Sequence, residues 1–347
     1  MAEGKRGKPR RFGKIVLAVL SAILACVLLL ALVMMILYLT GRNDLTGGDN
    51  PISVPTSLVD DVDEDDQTVI YKGQKYRYNE NTISILFIGV DKTSVKQNKN
   101  YGHNGQADSL FLAVMDSNTG RIKLIPLSRE AMVDVDLYTG AGAYAGVEKL
   151  QLCLAYAYGK NGDESCQNVC RSVSRLLYGA EIDSYVAIDL AGVGKLTDAV
   201  GGVKLTALET IPSAQPIIKE GKTVTLRGDR VNAYLQYRDQ DPEANERRMR
   251  RQKQFLGSFL QTAAGILRKD ITKVTGLYRK ARPYIVTDLS VARVTYLATC
   301  ALKGHADPEY ILIDGQSVAG EKHAEFYPDK NSLYEAVLKA YYTPVEE

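Results

Sequence analysis

The sequence predicts an α/β fold: a layered sandwich with a central mixed β-sheet flanked by helices, preceded by one N-terminal transmembrane helix. Three observations carry this. Ile15 to Leu39 is an apolar run without a charge. Ile83 to Val90 is a continuous apolar run, fit for a strand buried on both faces. Beyond it, strand-like and helix-like stretches alternate, as they do when helices cover a sheet.

As a helix, the Ile15 to Leu39 run is about 37 Å long against a hydrocarbon core of about 30 Å, so it spans a bilayer. Leu37-Tyr-Leu-Thr-Gly-Arg42 lacks the small-residue cleavage pattern of a signal peptide, which makes the run an anchor at residues 15–39. The flank at residues 1–14 carries Lys5, Arg6, Lys8, Arg10, Arg11 and Lys14. Only Arg42 follows the run before an acidic stretch. The positive-inside rule therefore predicts a single-pass protein of the cell membrane with a cytoplasmic N-terminal tail and an extracellular C-terminal domain. Residues 40–81, with Gly, Pro, Ser and Asp and little periodicity, are expected to form an extracellular stalk. Within it, Thr68 to Tyr78 reads as a small hairpin around Lys72-Gly73-Gln74. The folded domain is expected over residues 82–345.

Ser109 to Met115 and Arg121 to Leu127 are strands joined by Asp116-Ser-Asn-Thr-Gly120, a hairpin turn by composition. Helices are expected at Lys149 to Tyr158, Ser165 to Leu177 and Leu190 to Val200, and strands at Tyr185 to Asp189 and Val203 to Ala207. A long helix from Glu246 to Leu267 and further helices near the C-terminus complete the domain.

A net charge of +2 over 347 residues, with the basic residues clustered, argues against a nucleic-acid partner. Three scattered histidines and five cysteines without zinc spacing argue against a zinc site and against histidine-based catalysis; Ser109 and Ser128 have no histidine to activate them. The cysteines outside the anchor are either buried thiols or a disulfide with no assignable pairing.

Two places carry chemistry. Asp108 immediately precedes one hairpin strand and Arg129 follows the other by two residues, so both lie at the open end of the hairpin. If the Ile83 strand runs antiparallel to Ser109 to Met115, Asp91 arrives there too. Paired carboxylates suit Mg²⁺, which prefers oxygen ligands and phosphate company, and converging arginines suit a pyrophosphate. The second place is Glu246-Arg-Arg-Met-Arg-Arg-Gln-Lys253, where five cations fall within seven residues near a helix start. Such crowding opposes folding unless an anion relieves it. At about 100° per residue, Arg248, Gln252, Phe255 and Phe259 share one stripe, expected to face inward, with Arg250 and Lys253 expected in solvent.

Seven segments in order resemble the motifs of the LytR-CpsA-Psr proteins: Ile85 to Asp91, Ala107-Asp108-Ser109, Ile125 to Glu130, Leu150 to Gly159, Asp198 to Val203, Leu226-Arg-Gly228, and Tyr237-Arg238 with Arg248 to Gln252. The resemblance runs from about Ile83 to Tyr342. It implies a Mg²⁺-dependent phosphotransferase that moves a glycopolymer from a polyprenyl-pyrophosphate carrier in the membrane lipid to a peptidoglycan acceptor, in a Gram-positive-type envelope. It assigns Asp91 and Asp108 to the metal and Arg129, Arg238, Arg248 and Gln252 to the pyrophosphate, with Arg251 beside them; Asp91, Asp108 and Arg129 are the catalytic candidates. Three departures stand out: Gln106 and Gln236 where many members have arginine, and Glu130 where many have aspartate. The spacing from Asp91 to Asp108 is long, which marks an insertion through Lys92 to Gln106. With two positive charges fewer, the alternative is a non-catalytic, membrane-anchored binder or regulator of envelope glycopolymers.

Overall fold

The computed structural model describes residues 10–46, 52–63, 65–91, 95, 101–241, 244–304, 307–320 and 323–345; at 10–27, 190 and 245 it describes the backbone alone. The expected basic positions Lys5, Arg6 and Lys8, the first part of the Lys92 to Gln106 insertion except Val95, and His305 lie outside the described residues.

In chain order the elements are α1 (Arg10–Leu45), β1 (Asp61–Asp63), β2 (Thr68–Tyr71), β3 (Gln74–Tyr78), β4 (Thr82–Val90), β5 (Ala107–Asp116), β6 (Ile122–Leu127), β7 (Met132–Tyr138) and β8 (Tyr144–Gln151). A 3₁₀ turn (Leu152–Tyr158) follows, then α2 (Gly162–Leu176), β9 (Ser184–Asp189), α3 (Leu190–Ala199), β10 (Val203–Thr206), β11 (Thr223–Leu226), α4 (Asp229–Gln236), α5 (Ala244–Lys269) and α6 (Lys273–Ala281). The chain ends with β12 (Ile285–Thr287), α7 (Val291–Ala301), β13 (Glu309–Tyr310), β14 (Gly315–Ala319), β15 (Ala324–Pro328), α8 (Lys330–Tyr341) and β16 (Tyr342–Pro344).

The central sheet has six strands in the order β12-β9-β4-β5-β6-β13. It is mixed: β9 runs parallel to β4 and β13 to β6, while β4, β5 and β6 form an antiparallel meander and β12 closes the other edge antiparallel to β9. Alternation along β4 explains the layers, because successive side chains leave opposite faces. Leu86, Ile88 and Val90 pack with α2 and α8 in the main core, whereas Ile83 and Ile85 pack with Met115 and with Tyr296, Leu297 and Cys300 around α7. A third cluster joins β10, β11, α4 and Phe255 of α5. The β5–β6 turn closes as its composition predicts: Asp116 Oδ1 accepts from the amides of Asn118 and Thr119 (2.8 and 2.9 Å), and Gly120 takes a φ of +70° that a side chain would strain.

Several expectations change. The stalk is shorter than its composition suggests, because Ile52, Val69 and Tyr71 are buried in the main core and the β2–β3 hairpin joins a four-stranded sheet with β1 and the C-terminal β16. Lys149 to Tyr158 is not an α-helix: it is the end of β8 followed by the 3₁₀ turn, and β7, unread in the sequence, is its partner. The insertion is tied down in its described half, where Gly102 N donates to Ala157 O (2.8 Å) and the buried Asn104 side chain bonds Gly159 O. Cys153, Cys166, Cys170 and Cys300 are free, the first, second and fourth buried. Helix α1 is long and apolar enough to cross a membrane from Leu28 to Leu45. Its last turns dock on α7, with the Tyr38 and Tyr296 rings 5.1 Å apart, Asp44 and Arg293 3.6 Å apart, and Leu45 buried.

Candidate functional site

The end of β4 builds the first half of the site. Along β4 and β5 the register is regular from Thr82↔Asp116 to Gly89↔Ser109, then jumps to Val90↔Ala107. One extra residue therefore stands on β5, and that residue is Asp108. A bulge of this kind unpairs a residue and re-aims its side chain. Gly89 suits the spot, since a Cβ there would lie 3.0 Å from that of Ser109. Asp91 follows at once, its amide donating to Gln106 O (3.3 Å), so both aspartates leave the same end of the sheet.

Arg129 arrives at this end from β6. Its Nη1 ion-pairs with Asp108, its Nη2 donates to Gln106 Oε1 (2.6 Å), and its Nη2 stands 3.7 Å from Cys153 Sγ. The Arg129 carbonyl accepts from Cys153 N (3.0 Å), which holds the backbone beneath the guanidinium. The pair is only partly covered, with the Arg129 and Asp108 side chains 29% and 28% exposed. Burial pushes the Asp108 carboxyl above its usual range; the Arg129 charge pulls it back, Asp91 raises it further, and Arg238 lowers it. Asp91, Arg129 and Arg238 thus all act on Asp108; the meander geometry predicts this for Asp91 and Arg129, and Arg238 joins them from the turn after α4.

The arginine block divides differently from its expected helical phase. Arg251, not Arg248, is the deepest, only 1% exposed. Its Nε donates to Tyr234 O (2.7 Å), its Nη2 bonds Tyr237 O, its Nη1 ion-pairs with Glu209, and its guanidinium lies against the Tyr234 and Tyr237 rings. With those donors committed to the protein, Arg251 serves as a clamp on the turn that carries Arg238 and is not a free phosphate ligand. Burial brings its guanidinium down to about 10, still fully charged near neutral pH. Gln252 braces the same turn through Leu235 O (3.5 Å), and the half-buried Arg248 stands one helical turn before it. Arg247 is engaged by Glu209, Asp239 and Asp241. Arg250 is exposed as expected, and Lys253, also exposed, covers the Tyr310 ring at 4.0 Å.

Two features escaped the sequence reading. Val186, Phe87, Phe111 and Pro126 are in register across β9, β4, β5 and β6, and all four are partly exposed, Phe87 by 37% in the middle of the central sheet. A row of apolar side chains left open between a packed core and a charged sheet end is an apolar wall directly beneath the site. Helix α5 is tied to the β13 edge of the sheet by Tyr310 Oη, which donates to Lys253 O (3.2 Å), and beyond it by Arg268, which donates to Gly304 O (3.1 Å). The alternation of β4 and β5 was the available signal, but strand periodicity does not say which face a helix leaves uncovered. The second feature is Asp189, a buried carboxylate at the same sheet end. Its oxygens accept from Val95 N (3.1 Å) and Gly192 N (2.7 Å), so it fixes the chain after Asp91 and caps α3.

Among the described residues no three of His, Cys, Asp and Glu gather into a closed metal cage. Two carboxylates at one partly open sheet end are nonetheless the donor set that fits Mg²⁺, which keeps several waters and takes one or two carboxylates together with phosphate oxygens.

A family model described as the LytR_cpsA_psr family matches residues 56–336. The chain is 26% identical over 215 residues to the polyisoprenyl-teichoic acid–peptidoglycan teichoic acid transferase TagV of Bacillus subtilis (strain 168), covering 60% of this chain and 50% of that protein. It is 26% identical over 208 residues to the TagU transferase of the same description from Halalkalibacterium halodurans, covering 60% and 61%. The chain thus spans half to about three fifths of these relatives. Among solved structures, B. subtilis TagV superposes with a TM-score of 0.61 at 22% identity over 75% of this chain and 96% of that one. TagT bound to LI-WTA superposes with a TM-score of 0.56 at 18% identity over 75% and 90%. At these identities the structural likeness establishes the fold.

Proposed function

The chain belongs to the LytR-CpsA-Psr family, and from that premise we propose that it is a membrane-anchored, extracellular phosphotransferase. It takes an anionic glycopolymer from a polyprenyl-pyrophosphate carrier and attaches it to peptidoglycan through a phosphodiester. The observation that carries this reading is the meeting of Asp91, Asp108, Arg129 and Arg238 at one sheet end, directly above the apolar row of Phe87 and Phe111. Cations and carboxylates beside an apolar wall match the two halves of a lipid pyrophosphate. The names of the relatives support the same substrate class.

The reaction is an in-line displacement. A glycan hydroxyl oxygen bonds to the sugar-linked phosphorus, the bond from that phosphorus to the bridging oxygen breaks, and polyprenyl phosphate leaves with the electron pair. Arg129 and Arg238 offset the charge that builds on the pyrophosphate oxygens, where oriented donors in a covered site act more strongly than in water. One of the two aspartates takes the proton of the attacking hydroxyl. Asp91 and Asp108 would hold Mg²⁺, which when bound neutralises phosphate charge. Arg251 and Gln252 position Arg238 through the α4–α5 turn, and Arg248 faces the donor from the start of α5. The apolar row seats the first part of the polyprenyl chain. The helix α1 anchors the domain, with the N-terminus in the cytoplasm.

The test is transfer by the full-length protein in detergent or liposomes, with a radiolabelled lipid-pyrophosphate donor, a glycan acceptor and Mg²⁺. Label should move to the glycan and polyprenyl phosphate should appear in equal amount. Tight donor binding with no transfer would overturn the enzymatic reading in favour of a glycopolymer binder.

A further inference from the structure

The β7–β8 hairpin starts from the site and ends in an aromatic row. Tyr138 and Tyr144 face each other in register near its tip, with ring centroids 5.7 Å apart and planes at 69°. Tyr101, from the loop before β5, stacks on Tyr138 at 5.7 Å and 27°. The row is held in place before any ligand arrives. Arg171 Nη2 donates to Tyr138 Oη (3.3 Å), Tyr101 Oη donates to Glu164 Oε2 (3.5 Å), and a Cβ on Gly142 would press on the Tyr101 ring at 2.8 Å. Tyr144, 60% exposed, forms the outer end.

Ordered aromatic faces open to solvent are costly to leave unused, and the surrounding charges say what they fit. Asp136 is bound by Arg171 and Arg175, both at 2.8 Å, and Asp134 by Lys149 at 3.1 Å. Arg171, which braces the row, and its neighbours Arg175 and Lys149 are engaged by these carboxylates, so the row suits a neutral ligand better than a phosphate-rich polymer. The C–H face of a sugar ring meets the negative face of an aromatic ring favourably, and tyrosine hydroxyls add hydrogen bonding. Position agrees with this. Met132, where β7 begins, follows Arg129 by three residues, and Tyr138 is six residues further along β7, about 20 Å away at about 3.3 Å per residue.

We propose that the Tyr101, Tyr138 and Tyr144 row is a subsite for the acceptor, an uncharged strand of N-acetylated hexosamines, gripping it several sugars from the hydroxyl that reacts. The inference rests on the transfer reading above for its substrate and extends it to a second place on the molecule.

The chain has no tryptophan but 21 tyrosines, so bulk fluorescence would not single out this row and binding is read by titration calorimetry. Full-length protein in detergent is titrated with an N-acetylglucosamine hexasaccharide and, separately, with an anionic polyglycerol phosphate. The hexasaccharide should bind, Tyr144→Ala should weaken its affinity about tenfold, and Tyr144→Phe should retain most of it. Because Tyr144 is exposed, its variants should melt with the wild type. In the transfer assay, Tyr144→Ala should raise the acceptor KM and leave kcat and the donor KM unchanged. Equal hexasaccharide affinity of wild type and Tyr144→Ala, or an effect of the variant on the anionic polymer alone, overturns the subsite. Hexasaccharide binding through Tyr144 without transfer would instead sink the enzymatic reading and leave the subsite standing.

Discussion

Two arginine–carboxylate pairs in this domain do opposite things. Arg251 with Glu209 is sealed between α4 and α5, its donors shared among two carbonyls and a carboxylate. Arg129 with Asp108 sits at the sheet end, partly open, with its second nitrogen on the neutral Gln106 and a second carboxylate nearby. A saturated, buried guanidinium fixes geometry, whereas an unsaturated, half-open one has capacity left for a substrate. Arginine content alone does not separate the two.

Breaking the first pair should have the largest effect. Arg251→Ala leaves Glu209 without its main partner in a covered place, and losing one member of a buried pair typically costs about 3–5 kcal/mol. The denaturation midpoint in urea should fall accordingly; a shift under about 1 kcal/mol would mean the clamp is not structural. Next comes Arg129→Ala, expected to lower transfer by about 10²–10³, the loss of one oriented charge contact. Stability should move by no more than about 1 kcal/mol, because the pair is partly exposed. Equal losses of stability and rate would erase the distinction between the two pairs.

Asp108→Asn tests the sign of the site's electrostatics. Burial raises the Asp108 carboxyl in the folded state, so folding disfavours its charged form. That contribution is harmless below the ordinary carboxylate range and becomes a cost as pH rises through the raised value. The variant should therefore melt somewhat higher than wild type at pH 7, the gap closing near pH 3, while transfer is lost. Melting scans without Mg²⁺ at both pH values decide it, and a lower melting point at pH 7 would contradict the burial argument. The smallest effect belongs to Arg250→Ala, since Arg250 and Glu246 are exposed and 4.0 Å apart. No more than about 0.5 kcal/mol and no change in rate are expected.

The site was half legible. Asp108, Arg129 and Asp91 could be brought together from the sequence because a turn of known composition fixes the register of a meander, and register fixes which residues share an end. The bulge that frees Asp108 is invisible in the sequence because it falls at the first residues of β5, where too little strand lies beyond it for a shift in alternation to show. The helix start at Ala244 is close to its expected place, and Phe255, Phe259 and Gln252 of the expected stripe do face the neighbouring elements, but the deepest cation is Arg251 and not Arg248. Arginine and glutamine are ambiguous about burial, and the carbonyls of Tyr234 and Tyr237 that draw Arg251 inward come from α4 and the residue that follows it. Lys149 to Tyr158 failed for a related reason: Leu150, Leu152 and Leu154 satisfy a strand period while the whole stretch also tolerates a helical one.

What the sequence determined alone was local and periodic: the apolar span at the N-terminus, the buried strands, the Asp116 to Gly120 turn, and through them the layered α/β fold and the family. Tertiary structure decided what depends on neighbours distant in sequence. It showed which arginine is consumed as a clamp, that residues 52–78 join the domain through β16, that Phe87 and Phe111 line an open wall, and that Tyr101 completes the aromatic row. Burial and saturation are properties of a surrounding set of atoms, and no single stretch of chain contains that set.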